Sequence, residues 1–260
     1  MNETPSFKWA SCVLRTLYSE GVTTAVISPG SRNTSLTLAL AMHPGIHCYS
    51  AIDERSAAFM ALGISKMNRI PTLLCCTSGT AGANYYPAVI EAYESSVPLL
   101  IATADRPASL QHVGASQTID QHELFGSFVL DYQQLPEAED LRVEGDWSAA
   151  IKQVCHAARC ALQGGPVHVN IPFRKPFEPT DQQRIEYAEL TKQEFSSQDR
   201  QETSETLDST AAHFRSSKSF RENAHAQARH ISAEEFIRWY ASLQRPMIVV
   251  GAEPAPMQWK

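Results

Sequence analysis

The sequence predicts an α/β domain built on a parallel sheet with helices on both faces. Short apolar runs recur between stretches of helical periodicity, and each run is followed by a turn segment and then by a helix. Strands separated by helices of ten or more residues pair in parallel, and a parallel sheet must be covered on both sides.

The elements follow in order. Trp9, Cys12, Val13, Thr16 and Leu17 recur at helical spacing and Gly21 follows as a stop, so a helix opens the chain. Residues 24–27 read as a buried strand and Ser28-Pro29-Gly30-Ser31 as a tight turn into the next helix. Further strands are predicted at 46–51, 72–77 and 98–103, with helices at 54–68 and 81–94 between them. After a loop-rich stretch over 105–139, a helix at 147–162 precedes Gly164-Gly165-Pro166 and a strand at 167–171 expected to close the sheet.

After Pro172 the character changes. Residues 178–230 hold only seven large apolar side chains: Ile185, Tyr187, Leu190, Phe195, Leu207, Phe214 and Phe220. Ordering costs ~1–2 kcal/mol per residue in backbone entropy alone, and so little apolar surface does not offset it. The segment therefore reads as a polar linker, with at most transient helix. Residues 231–243 again look helical, and 245–251 resemble the first strand of a second α/β domain that the chain begins without finishing.

Composition excludes several classes. The chain has 260 residues, 43% hydrophobic and 19% charged, with a net charge of −6. A phosphate-backbone binder needs a basic face, so nucleic acid is not the expected partner. No apolar run approaches the ~20 residues of a membrane span and no signal pattern opens the chain, so the expected address is the cytoplasm. Six cysteines lack any C-x-x-C spacing and read as small hydrophobes in a reducing compartment, not as a disulfide or metal site.

In an open parallel sheet, ligands bind beyond the carboxyl ends of the strands. Four segments fall there: 28–32, 53–56, 77–84 and 103–107. Ser31-Arg32 would set a hydroxyl and a forked guanidinium at a helix N-terminus, which suits a carboxylate but also describes a capping serine beside a solvated arginine. The 77–84 loop, with Gly79 and Gly82, permits close approach of a ligand yet matches neither common nucleotide fingerprint, and a helix cap explains it equally well. Glu54 taken alone is an ordinary first-turn carboxylate. The G-x-S-x-G elbow and H-E-x-x-H are absent, which weakens hydrolase and zinc readings.

Jointly these segments carry a resemblance. Ile27-Ser-Pro-Gly-Ser-Arg32, Asp53-Glu-Arg-Ser-Ala57, Cys76-Thr-Ser-Gly-Thr-Ala81, Asn84-Tyr-Tyr-Pro-Ala-Val-Ile-Glu-Ala92, Thr103-Ala-Asp-Arg-Pro107 and Gly114-Ala-Ser-Gln-Thr-Ile-Asp-Gln121 resemble the N-terminal half of thiamine diphosphate enzymes. Within them the pattern is similar to the menaquinone-pathway 2-succinyl-5-enolpyruvyl-6-hydroxy-3-cyclohexene-1-carboxylate synthase family, over roughly residues 7–175.

The resemblance implies a pyrimidine-binding domain over 1–177, a polar linker over 178–230 and the start of an incomplete middle domain over 231–260. It implies decarboxylation of 2-oxoglutarate and its addition to isochorismate on thiamine diphosphate, in menaquinone or phylloquinone biosynthesis. By the same resemblance Glu54 is the catalytic carboxylate against the aminopyrimidine ring. Ser31, Arg32, Arg106 and Gln117 are substrate contacts, and Pro29, Thr80 and Asn84 line the cofactor pocket with Glu54.

The family's diphosphate is held through Mg²⁺ or Mn²⁺ by a Gly-Asp-Gly motif and a later Asn. This chain has no Gly-Asp-Gly, the nearest run being Gly145-Asp146-Trp147, so no metal ligand is assigned in it. The family's site forms between subunits, so a homo-oligomer is expected and the chain alone is expected to be inactive, as the front of a longer polypeptide or a truncated product. A non-catalytic anion-binding or assembly module with the same fold, or another thiamine diphosphate-dependent decarboxylase, are the alternatives.

Overall fold

Six parallel strands lie in the order β2-β1-β3-β4-β6-β5, each pair in parallel register. They come from a computed structural model that describes residues 3–202. The chain divides into two units, Met1–Ser204 and Glu205–Lys260, and the described residues all lie in the first. The predicted helix at 231–243 and strand at 245–251 lie outside the described residues.

The elements run α1 (Pro5–Ser19), β1 (Thr24–Ile27), α2 (Thr34–Met42), β2 (His47–Ser50), α3 (Glu54–Asn68), β3 (Thr72–Cys76), α4 (Thr80–Ala83), α5 (Tyr86–Glu94), β4 (Leu99–Asp105), β5 (Asp131–Gln134), α6 (Glu144–Leu162), β6 (Pro166–Pro172) and α7 (Asp181–Glu202). The alternation of side chains along a strand divides the core in two. Ala25, Ile27, Leu73, Cys75, Leu100 and Ala102 point toward α1, α2 and α6. Val26, Leu74, Cys76, Leu99 and Ile101 point toward α3 and α5.

Handedness decides which helix lies on which face. Parallel crossovers are right-handed, so the two connections that step toward the β2 edge, α2 and α6, share one face. Those that step the other way, α3 and α5, share the opposite face. The connections leaving the neighbouring strands β1 and β3 therefore diverge, and a crevice opens between their carboxyl ends, which is the topological switch point.

The sequence expectations meet four corrections. The strand at 166–172 does not close the sheet: it inserts between β4 and β5, and β5, hidden in the loop-rich stretch, is the edge. Its side chains Asp131, Tyr132, Gln133 and Gln134 show no apolar alternation, because an edge strand has a free side that tolerates polar residues. The helix expected at 81–94 breaks at Asn84-Tyr85 into α4 and α5, where Pro87 has no N–H to continue the ladder. Among the cysteines only Cys75 and Cys76 are buried, whereas Cys48 is exposed and Cys12, Cys155 and Cys160 are partly so.

The fourth concerns the polar segment. Residues 181–202 form the helix α7, which packs on α1 and α2. Gln183, Tyr187, Thr191 and Glu194 fall on one stripe and face the domain. The amide of Gln183 pairs with both backbone groups of Thr4, accepting from its N–H at 2.9 Å and donating to its C=O at 3.1 Å. Tyr187 stands edge-on to Phe7 at 5.6 Å, and Arg15 Nε donates to Glu194 Oε1 at 2.8 Å. Satisfied polar groups here supplement the modest apolar burial, which a count of large apolar residues overlooks. Among the described residues no helix is long and apolar enough to cross a membrane.

Candidate functional site

The turn after β1 is strapped from within. Asn33 is buried, and its Nδ2 donates to the Ser28 carbonyl at 3.0 Å. The helix α2 begins only at Thr34, so Ser31 and Arg32 lie in the turn and not in a helix N-terminus as the sequence suggested. The turn rests on the loop after β3, where the Arg32 N–H donates to Thr77 Oγ1 at 3.3 Å. A Cβ on Gly30 would stand 2.3 Å from Thr77 Cβ, so only glycine lets the two loops approach this closely. Gly30→Ala is expected to destabilise the domain by ~1–3 kcal/mol as overpacking does, read from urea unfolding, with Thr77→Gly restoring part of the loss.

The loop after β3 is shaped by Gly79, whose φ of +80° precedes the short helix α4. Its N–H donates to Gln121 Oε1 at 2.8 Å, and a Cβ there would meet Gln117 Cγ at 2.9 Å. Gln117, itself at φ +54°, donates from Nε2 to the Ser78 carbonyl at 3.2 Å. The structure thus brings Gln117 against the 77–80 loop. Thr80 and Asn84 are exposed, and the Asn84 amide donates to the Thr80 carbonyl at 3.0 Å, closing its own turn. Pro29 and Ser31 are exposed on the β1 turn.

Glu54 is the first residue of α3. Asp53 caps that helix, its Oδ1 accepting from the Ser56 N–H at 2.8 Å and from Ser56 Oγ at 2.7 Å. Those bonds hold the Asp53 carboxyl below its usual range. The cap leaves Glu54 half-buried at the carboxyl end of β2, and its carboxylate has no hydrogen-bond partner among the described residues. Its charge reaches the Cys76 thiol, which burial above all, then Cys75 and Glu54, push upward.

Arg32 and Arg106 converge from the ends of β1 and β4. Arg32 Nη1 donates to the Phe173 carbonyl at 2.7 Å and its guanidinium lies 5.0 Å from the Phe177 ring centroid. Burial first, then repulsion from Arg106, lowers the Arg32 pKa, with Asp105 opposing. Arg106 is likewise lowered by burial, and its buried Nη1 has no hydrogen-bond partner among the described residues. Two partly desolvated cations with a spare donor favour an anion with forked oxygens.

Behind the arginines lies a buried polar network, none of whose members stands out in the sequence as a site residue. Asn170 Nδ2 donates to Asp105 Oδ2 at 2.8 Å and to Gln134 Oε1 at 2.9 Å. Asn170 Oδ1 accepts from Thr103 Oγ1 at 2.7 Å and from Gln121 Nε2 at 2.9 Å. Thr103 Oγ1 also meets His168 Nε2 at 2.7 Å, and burial lowers the His168 pKa to about 3, leaving the ring neutral. Asp105 Oδ1 in turn accepts from the Arg106 N–H at 2.7 Å, so the network fixes the backbone from which Arg106 projects. Gln121 and Asp105 sit inside the 114–121 and 103–107 motifs, but their partners come from β6, 49 and 65 residues away in sequence, which no local pattern signals.

Residues 7–124 match the thiamine pyrophosphate enzyme N-terminal TPP binding domain. The chain is 51% identical over 175 residues to the 2-succinyl-5-enolpyruvyl-6-hydroxy-3-cyclohexene-1-carboxylate synthase of Geobacillus kaustophilus, which covers 66% of this chain and 30% of that protein. It is 49% identical over 174 residues to the same-named synthase of Haloarcula marismortui, covering 66% and 29%. For that of Dechloromonas aromatica the identity is 46% over 178 residues, covering 68% and 33%. The chain thus spans about a third of the length of the curated relatives it matches.

Proposed function

We propose, on the premise that this chain is related to the N-terminal portion of the 2-succinyl-5-enolpyruvyl-6-hydroxy-3-cyclohexene-1-carboxylate synthases, that its described domain supplies the aminopyrimidine side of a thiamine diphosphate site and an anion clamp for the substrates. The observation that carries this reading is the convergence of Arg32 and Arg106, one with an unpaired buried N–H, beside the crevice between β1 and β3.

The residues present fit the cofactor's ring. Gly30 and Gly79 keep the crevice walls thin, and Glu54 offers a carboxylate that accepts no other hydrogen bond among the described residues. Thiamine diphosphate, when bound, supplies the electron sink for decarboxylating a 2-oxo acid. Glu54, half-buried at the carboxyl end of β2, would hold a proton against a ring nitrogen as a general acid–base group. Pro29, Thr80 and Asn84 would border the ring, and Gln117, held on Ser78, would face the substrate beside Ser31.

2-Oxoglutarate and isochorismate are both dicarboxylates, and Arg32 and Arg106 would pair with their carboxylates. A single arginine cannot neutralise a dianion in a partly dry site, whereas two can. A divalent ion on the diphosphate, Mg²⁺ or Mn²⁺, belongs to this reading with ligands outside the described residues, as do a homo-oligomer and a cytoplasmic address.

The test is a chimera in which residues 1–177 replace the matching part of the Geobacillus kaustophilus synthase. It is expected to consume 2-oxoglutarate and isochorismate. Arg32→Gln and Arg106→Gln are each expected to raise KM for the dicarboxylates ~10–100-fold, the value of one lost charge-assisted pair. An active chimera whose KM neither change moves would refute the clamp.

A further inference from the structure

At the far edge of the sheet, β5 and α6 bring together three side chains that the proposed thiamine site does not use. His156 and Cys160 are four residues apart on α6, so one turn separates them and they share a face. Asp131 is the first residue of β5 and points to the same place. One ligand atom from each lies within 4.8 Å of the others. Because Asp131 begins its strand, the cluster sits toward the opposite edge of the strands from the crevice at their carboxyl ends.

The spacings are informative. His156 Nε2 is 3.5 Å from Asp131 Oδ2 and 3.4 Å from Cys160 Sγ. The first is too long for a direct hydrogen bond, for which N to O is ~2.7–3.2 Å. Metal bonds of ~2.0–2.3 Å in a tetrahedral shell place neighbouring donor atoms ~3.3–3.7 Å apart, and both observed distances fall in that interval. Asp131 is also held from outside the cluster, since Gln133 Nε2 donates to its Oδ2 at 2.7 Å. An outer donor that orients a ligating carboxylate is a usual companion of metal sites.

We propose that Asp131, His156 and Cys160 bind one zinc-class divalent ion, with water in the fourth position. A thiol and an imidazole select Zn²⁺ over Mg²⁺, which prefers all-oxygen shells. Binding forms one metal–sulfur bond as the Cys160 thiol releases its proton to solvent, and no electron changes hands. The ion ties the edge strand β5 to α6. Because β5 also carries Gln134, which accepts from Asn170 at 2.9 Å, the tie steadies one end of the buried network. The proposal is independent of the thiamine reading.

The experiment titrates the whole 260-residue chain, untagged, reduced and stripped of metal, with Co²⁺ as the spectroscopic stand-in for Zn²⁺. Thiolate-to-cobalt charge-transfer absorption is expected, saturating at one ion per chain and displaced by Zn²⁺. Asp131→Asn and His156→Ala should weaken binding at least ~10-fold, and Gln133→Leu ~10–100-fold as outer-sphere losses do. Cys160→Ser should abolish the absorption, and Zn²⁺ should raise the melting temperature of the parent but not of that variant. Absorption that is absent from the folded parent, survives in Cys160→Ser, or disappears instead in Cys155→Ser would overturn the assignment.

Discussion

Glu54→Gln in the chimera should lower the turnover of 2-oxoglutarate ~10²–10⁴-fold, the contribution of a positioned proton-transfer group, while KM for 2-oxoglutarate and the far-UV spectrum stay unchanged. The fold does not depend on this carboxylate. Asp53 and Ser56 cap α3 without it, and the buried face of that helix is Ala57, Ala58, Ala61, Leu62 and Ser65. Glutamine keeps the size and one hydrogen-bonding oxygen but cannot exchange a proton, so the change isolates acid–base chemistry from packing. Thiamine diphosphate should still bind to the variant, because a ring contact is weakened and not the whole crevice. Turnover at the parent's rate would remove Glu54 from the role proposed for it.

Asn170→Leu should have the largest effect on stability, ~3–5 kcal/mol by urea unfolding, because several buried groups each lose a partner at ~1–3 kcal/mol. Leucine fills the space and removes all four hydrogen bonds that the buried Asn170 side chain makes. Thr103 retains one partner, His168 Nε2, and Gln121 retains two, the Ala104 carbonyl and the Gly79 N–H. Asp105 Oδ1 keeps the Arg106 N–H and Gln111 Nε2, but Oδ2 loses its donor: burial already raises the Asp105 pKa, and the hydrogen bond from Asn170 is the strongest of the contacts that pull it back down.

The sign of the pH dependence follows. With its folded pKa raised above the unfolded value of ~3.9, Asp105 costs stability when ionised and stops doing so once protonated. Losing Asn170 raises that pKa further. The gap between variant and parent should therefore be widest near neutrality and narrow as the pH falls into the carboxylate range. A gap that widens in acid would show that Asp105 is not the group left uncompensated. The same variant should weaken dicarboxylate binding, since Asp105 Oδ1 holds the Arg106 N–H.

The local pattern was enough for the parts of the fold that obey it. The strands at 24–27 and 72–76, the helix at 54–68 and the two-sided parallel sheet were all legible, because burial on both faces writes continuous apolar runs and helices write a 3.6-residue period. Chain order also brought four turn segments to one edge of the sheet, since parallel strands end on the same side.

What the sequence could not show were features whose stabilising partner is distant in the chain. Strand β5 is recognisable only by its pairing with β6, and α7 only by the fit of Gln183 to Thr4, 179 residues away. The buried Thr103–Asn170–Gln121 network, the meeting of Arg32 with Arg106, and the Asp131–His156–Cys160 cluster share that character. A sequence by itself determines where apolar surface must be hidden; which polar groups meet once it is hidden is decided by the order of strands in the sheet and the faces their helices take.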